Sequence, residues 1–120
     1  MPNVPADFLL ALAGGPMPPW PYRRIIWPNF CVPRDRRDAL DALREVLRRI
    51  RAGEFVEVAC TGGRGRTGTA LAALAVLDGM SSNEAISWVR SAYDRRAIET
   101  PWQIWWLHRM ARDARSTNSA

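Results

Sequence analysis

The chain has 120 residues, enough for one domain with a single modest core. Its 17 basic residues are all arginine, set against 12 acidic ones, and the net charge of +5 suits an anionic ligand as well as it suits arginine-rich codon usage. No apolar run approaches the roughly 18 residues of a membrane helix, so no membrane span is expected, and nothing beyond positive charge points to nucleic acid. The stretch Met1–Asp7 has no basic region of the secretory kind, and with only Cys31 and Cys60 present a cytoplasmic location is expected.

In chain order, Asp7–Ala13 reads as one or two helical turns ended by Gly14 and Gly15. The proline-rich Pro16–Pro21 excludes regular structure and is expected to pack as an extended arm. Tyr22–Trp27 is a short strand. Asp35–Ala52 is a helix with Leu40, Leu43, Val46, Leu47 and Ile50 on one face and Gly53 at the position that ends it. Glu54–Ala59 follows as a strand, and after the loop a helix continues through Ala70–Leu77 and ends near Gly79. Ser81 and Glu84 form a capping box opening a helix to about Tyr93, with Ala85, Ile86, Val89 and Tyr93 inward. Thr100 and Gln103 form a second, with Pro101 at the first helical position. Trp102, Trp105 and Trp106 on that helix are expected in the core, His108 at its edge, and the polar end is expected to fray. The resulting division is an N-terminal arm over 1–21, a domain over 22–111 and a tail over 112–120.

The segment from Val56 to Thr69 organises the rest. A strand, a glycine-rich loop and a helix N-terminus together present unpaired backbone N–H groups at the positive end of a helix dipole, a geometry that binds phosphate. The loop opens with Cys60 and closes with Arg66, so Thr61, Gly62, Gly63, Arg64 and Gly65 would wrap one anion between a sulfur and a guanidinium. Gly63–Gly68 is also literally the G-x-G-x-x-G of dinucleotide folds, but that unit needs a second parallel strand after the helix, and here another capped helix follows. A triphosphate loop needs a lysine that this chain lacks. Rhodanese-like and arsenate-reducing enzymes share the Cys-to-Arg spacing but leave Trp27–Pro33 unexplained.

Cys60–Thr67 reads C-x-x-G-x-x-R-T and resembles the signature loop of the cysteine-dependent protein tyrosine and dual-specificity phosphatases. Trp27-Pro28-Asn29-Phe30-Cys31-Val32-Pro33 is similar to that family's Trp-Pro-Asp loop, and Glu99-Thr100-Pro101-Trp102-Gln103 is similar to its Q-T-x-x-Q loop. The resemblance implies an α/β fold, a minimal version of the phosphatase sheet flanked by helices, acting without metal or organic cofactor. It implies that a phosphorylated protein or small phosphate ester is hydrolysed through a phosphocysteine at Cys60. Arg66 would grip the equatorial oxygens, and Thr67 would donate to the sulfur as it leaves.

The departures from the family pattern matter as much. Ala59 stands where a histidine usually precedes the cysteine, and Asn29 stands where the family has its general-acid aspartate. An amide cannot protonate a leaving oxygen, which leaves three readings: an engineered substrate trap, a natural slow enzyme, or a phosphate-recognition module. Asp35 is either a substitute acid or, more simply, the N-cap of the next helix. Glu99 replaces a water-positioning glutamine and would either activate water or repel phosphate, while Gln103 matches the second glutamine or serves only as a cap. Arg64 adds charge of the kind seen in phosphoinositide phosphatases resembling this family, which keeps an inositol phosphate substrate open. Cys31 is either a small filler or a disulfide partner for Cys60.

Overall fold

The computed structural model describes residues 6–12, 19–28, 32–59, 65–98 and 100–118. Its sheet has three parallel strands, β1 (Phe8–Ala11), β2 (Tyr22–Arg24) and β3 (Val56–Ala59), in the order β2-β1-β3. Leu10 faces Arg23 on one side and Val58 on the other. Helices α1 (Arg36–Arg51), α2 (Gly65–Leu77), α3 (Ser82–Ala92) and α4 (Pro101–Asn118) complete the described elements.

The segment expected to form helical turns is instead the middle strand of the sheet. All four residues of β1 are buried, and a parallel strand covered on both faces is a continuous apolar run with no alternation. Phe8-Leu9-Leu10-Ala11 meets that description, and the expected N-terminal arm therefore supplies the strand on which the other two pair. Asp7 fastens its start: the Phe55 amide donates to Asp7 Oδ2 at 2.7 Å, and the Asp7 amide donates to the Phe55 carbonyl at 2.9 Å.

The helix α1 forms as its pattern predicts. Asp35 is its N-cap, accepting from the Asp38 amide at 3.2 Å, and Gly53 takes a φ of 88°, a left-handed conformation suited to glycine just past the helix end. Ala39, Leu40, Ala42, Leu43 and Val46 are buried. Ile50, expected on that face, is 46% exposed in the last turn, where the helix overhangs the core.

Helix α2 is apolar nearly all round and touches each of the other three helices. Its alanines at 70, 72 and 73 are fully buried, which lets those neighbours approach closely. The capping box opens α3 as expected, with Ser81 accepting from the Glu84 amide at 3.2 Å. Ala85, Ile86 and Val89 are buried, but Tyr93, expected inward, sits at the C-cap past the packed face and is half-exposed. Helix α4 continues through Asn118, beyond the point where a frayed tail is expected. Of its tryptophans only Trp106 is buried. The inward stripe is Gln103, Trp106, Leu107, Met110 and Ala111, and this phase turns Trp102 and Trp105 outward. His108 is half-buried, its Nδ1 2.6 Å from Ser82 Oγ.

Candidate active site

The strands β1 and β3 end together. The Leu12 amide donates to the Ala59 carbonyl at 2.9 Å, so the residue after β1 lies beside the residue before Cys60. In an open parallel sheet, the region beyond the carboxyl ends of the strands is where ligands bind. Here α2 begins five residues further along the chain and carries Arg66 and Thr67 in its first turn, both buried.

Arg66 is held by main-chain oxygens from two segments. Its Nη1 donates to the Leu12 carbonyl at 3.3 Å and to the Trp27 carbonyl at 3.1 Å. Leu12 directly follows β1, and Trp27 opens the Trp27–Pro33 segment. One guanidinium therefore ties the helix after the cysteine to the edge of the sheet and to the expected acid loop. Carbonyl acceptors orient its plane without carrying an opposing full charge.

Trp27 is itself anchored. It is buried, and its ring lies 5.8 Å from that of Trp106 at an angle of 52°, an edge-tilted contact. The Arg34 amide donates to the Ile26 carbonyl at 3.0 Å and closes the base of the Trp27–Pro33 segment. The indole position is thus set by α4, and the main chain beside it by Arg66.

A third segment borders the first turn of α2. Gly68 packs against Ala97 so closely that a β-carbon at Gly68 would stand 2.6 Å from the Ala97 β-carbon. The next residue, Ile98, is fully buried with a φ of 63°, a left-handed conformation that a β-branched side chain seldom adopts. Arg90 of α3 holds this turn through its Nε to the Ala97 carbonyl at 3.1 Å and its Nη2 to the Ile98 carbonyl at 3.0 Å. Thr100 and Gln103 then exchange bonds: the Thr100 amide donates to Gln103 Oε1 at 3.2 Å, and the Gln103 amide donates to Thr100 Oγ1 at 3.3 Å. The capping box is real, and it accounts for a glutamine with no exposed surface.

The structure thus brings Arg66 and Thr67 of α2 together with Leu12, Trp27 and the Ala97–Ile98 turn, and Thr100 and Gln103 cap the helix that follows that turn. Cys60, Thr61, Gly62, Gly63 and Arg64, together with Asn29, Cys31 and Glu99, lie outside the described residues, as does Pro16–Pro18 of the expected arm. Asp35 is the N-cap of α1. Sequence reasoning missed the Leu12 carbonyl, the Arg90 clamp and the Ile98 conformation. None has a side-chain pattern to betray it, although the last glycine of the Gly63–Gly68 motif does signal close helix packing.

No curated protein matches the chain. Among solved structures it is similar to Tk-PTP in its active form, at 27% identity with a TM-score of 0.80, over 89% of this chain and 79% of that one. A glycine-to-alanine mutant form of Tk-PTP is similar at 25% identity and a TM-score of 0.80, over 92% of this chain and 80% of that one. The fold is also that of PTPMT1 solved in complex with PI(5)P, at 16% identity and a TM-score of 0.76, over 96% of this chain and 81% of that one. The family model of protein-tyrosine phosphatases matches residues 20–110, which takes in Trp27, Arg66 and Gln103, and the chain belongs to that family.

Proposed function

We propose that the chain is a cysteine-dependent phosphatase that hydrolyses a phosphate monoester, phosphotyrosine or similar, through a phosphocysteine intermediate. The observation that carries this reading is Arg66. It stands in the first turn of α2, six positions after Cys60, with its plane set by the Leu12 and Trp27 carbonyls at the carboxyl edge of the sheet.

The Cys60 thiolate attacks phosphorus, a sulfur–phosphorus bond forms, and the bond to the ester oxygen breaks. A helix N-terminus and neighbouring arginines favour the thiolate over the thiol. Arg66 grips two equatorial oxygens as a fork, and the amides of Thr61 to Gly65 receive the charge that develops. The departing oxygen needs a proton, and the Asn29 amide has none to give, so water supplies it. Water then attacks the phosphocysteine. Thr67 donates a hydrogen bond to the departing sulfur, and Glu99 accepts a proton from that water. Gln103 acts as a positioning residue, because its side-chain oxygen caps the helix that follows Glu99.

Asn29 favours a second reading, in which the same loop recognises a phosphorylated ligand and scarcely turns it over. Arg64 favours a polyanionic substrate such as an inositol phosphate, and PTPMT1, which shares the fold, was solved with PI(5)P. The experiment is hydrolysis of p-nitrophenyl phosphate by this protein, Asn29→Asp and Cys60→Ser. The phosphatase reading expects slow turnover, none in Cys60→Ser, and a gain of up to ~10²–10⁴-fold in Asn29→Asp, larger for poorer leaving groups. No turnover in either the parent or Asn29→Asp, with vanadate still raising the melting temperature, would establish the recognition module instead.

A further inference from the structure

Two tryptophans and two arginines share the outer stripe of α4. Trp102 is 51% and Trp105 55% exposed, and Arg109 and Arg112 follow them on the same side of the helix, both exposed. At about 100° per residue, positions 102, 105, 109 and 112 fall within one narrow arc. The guanidinium of Arg109 lies over the Trp105 ring, 5.3 Å from its centroid. Arg95 and Arg96, also exposed, stand in the turn just before Ala97 and Ile98.

Two nearby carboxylates among the described residues are already engaged. Asp94 accepts from the Arg96 amide at 2.8 Å, and Asp113 pairs with Arg36 at 3.1 Å. None of the four arginines forms an ion pair among the described residues. Exposed indoles with basic neighbours on one helix face have the composition of an interfacial surface. The rings lie at headgroup depth, and the guanidiniums reach the phosphates.

From this face we infer that α4 docks the protein on the surface of an anionic phospholipid bilayer, with Trp102 and Trp105 inserted among the headgroups and Arg95, Arg96, Arg109 and Arg112 paired with lipid phosphates. Charge complementarity selects that occupant. A zwitterionic surface offers the indoles the same depth but gives four like charges no net attraction. The face is also joined to the candidate site, because Ala97 abuts Gly68 and Trp102 lies beside the buried Gln103 at the start of α4. Docking would bring that end of the domain to the lipid. The docking itself does not depend on the phosphatase reading, although a phosphorylated lipid substrate would depend on both.

Co-sedimentation with vesicles tests it, using phosphatidylcholine alone and phosphatidylcholine with roughly one third phosphatidylglycerol. The full chain should bind the anionic vesicles, release them as salt is raised, and ignore the neutral ones. Arg109→Gln should weaken binding about fivefold and Trp105→Ala about tenfold or more, with p-nitrophenyl phosphate hydrolysis unchanged in both. Trp88→Ala, an exposed tryptophan of α3 that lines a separate groove with Leu47, Leu71 and Met80, should bind as the parent does. Equal binding to both vesicle types, binding to neither, or binding untouched by Trp105→Ala would overturn the inference. A concentration-dependent dimer abolished by Trp105→Ala would overturn it too, by assigning the face to a second copy. Hydrolysis without vesicle binding would remove the docking and keep the enzyme, whereas vesicle binding without hydrolysis would do the reverse.

Discussion

Arg66 and Arg23 show two uses of one side chain. Arg23, on β2, reaches across to α1 and meets carboxylates: Asp41 at 2.7 Å, Asp38 at 2.8 Å and Glu45 at 3.5 Å. These bonds, that to Asp41 foremost, push its already high pKa further up. Arg66 donates to two carbonyls, from the ends of two different segments. A carboxylate cancels a guanidinium and turns it into a strut between elements. A carbonyl fixes its plane without itself adding a full negative charge. The first arrangement suits assembly of the sheet on α1, and the second ties the first turn of α2 to the carboxyl edge of the sheet and to the Trp27–Pro33 segment.

The contrast is testable in order of effect. Arg66→Lys keeps a charge but loses the fork, and should cut turnover by ~10²–10³-fold, whereas Arg23→Lys should leave kcat/KM unchanged. Equal losses in both would erase the distinction. Gly68→Ala forces a β-carbon into Ala97 and should cost ~1–3 kcal/mol by thermal or urea unfolding, with turnover falling too. Pairing it with Ala97→Gly should restore most of both, and failure to do so would deny the close approach its role. Arg90→Ala removes both bonds that hold the Ala97–Ile98 turn and should cost about 1–3 kcal/mol, with kcat falling more than KM rises. Arg23→Ala should cost about 1 kcal/mol or less, since its pairs are at the surface.

The smallest effect concerns pH. Hydrogen bonding from Arg23 holds the Asp41 carboxyl below its usual value. A carboxyl whose folded pKa is depressed stabilises the fold fully above its ordinary value and loses that contribution as pH falls through the depressed one. The melting temperature of the parent should therefore exceed that of Asp41→Asn near neutrality, and the gap should close in acid below the ordinary carboxylate range. A gap that persists there would mean that packing, not charge, holds Arg23.

Much of this was legible in the residues, for local reasons. Helix α1 announces itself because Asp35, the spacing of Leu40 to Leu47 and Gly53 act within one segment. The two capping boxes are likewise short-range, and the Cys60–Arg66 spacing is a loop written in one line. What escaped depends on distant partners. Strand β1 has no alternation because both its faces are covered, and it pairs with Val56–Ala59 far along the chain. Trp102, Trp105 and Trp106 share a spacing that fits either face of α4. The phase is decided by which side meets α2, and Gln103, a polar residue, lies on the buried one. The oxygens that hold Arg66 belong to the main chain, which looks the same under every side chain.

The strand order β2-β1-β3 has a consequence for synthesis. On the ribosome the middle strand is made first and can pair early with Tyr22–Arg24. Its other edge must wait for Val56–Ala59, which emerges only after all of α1. Until then Phe8-Leu9-Leu10-Ala11 is an apolar strand with an open edge, the feature that invites pairing with another chain. A fragment cut to the family match at residue 20 would lack that strand altogether and leave β2 and β3 with no sheet to join.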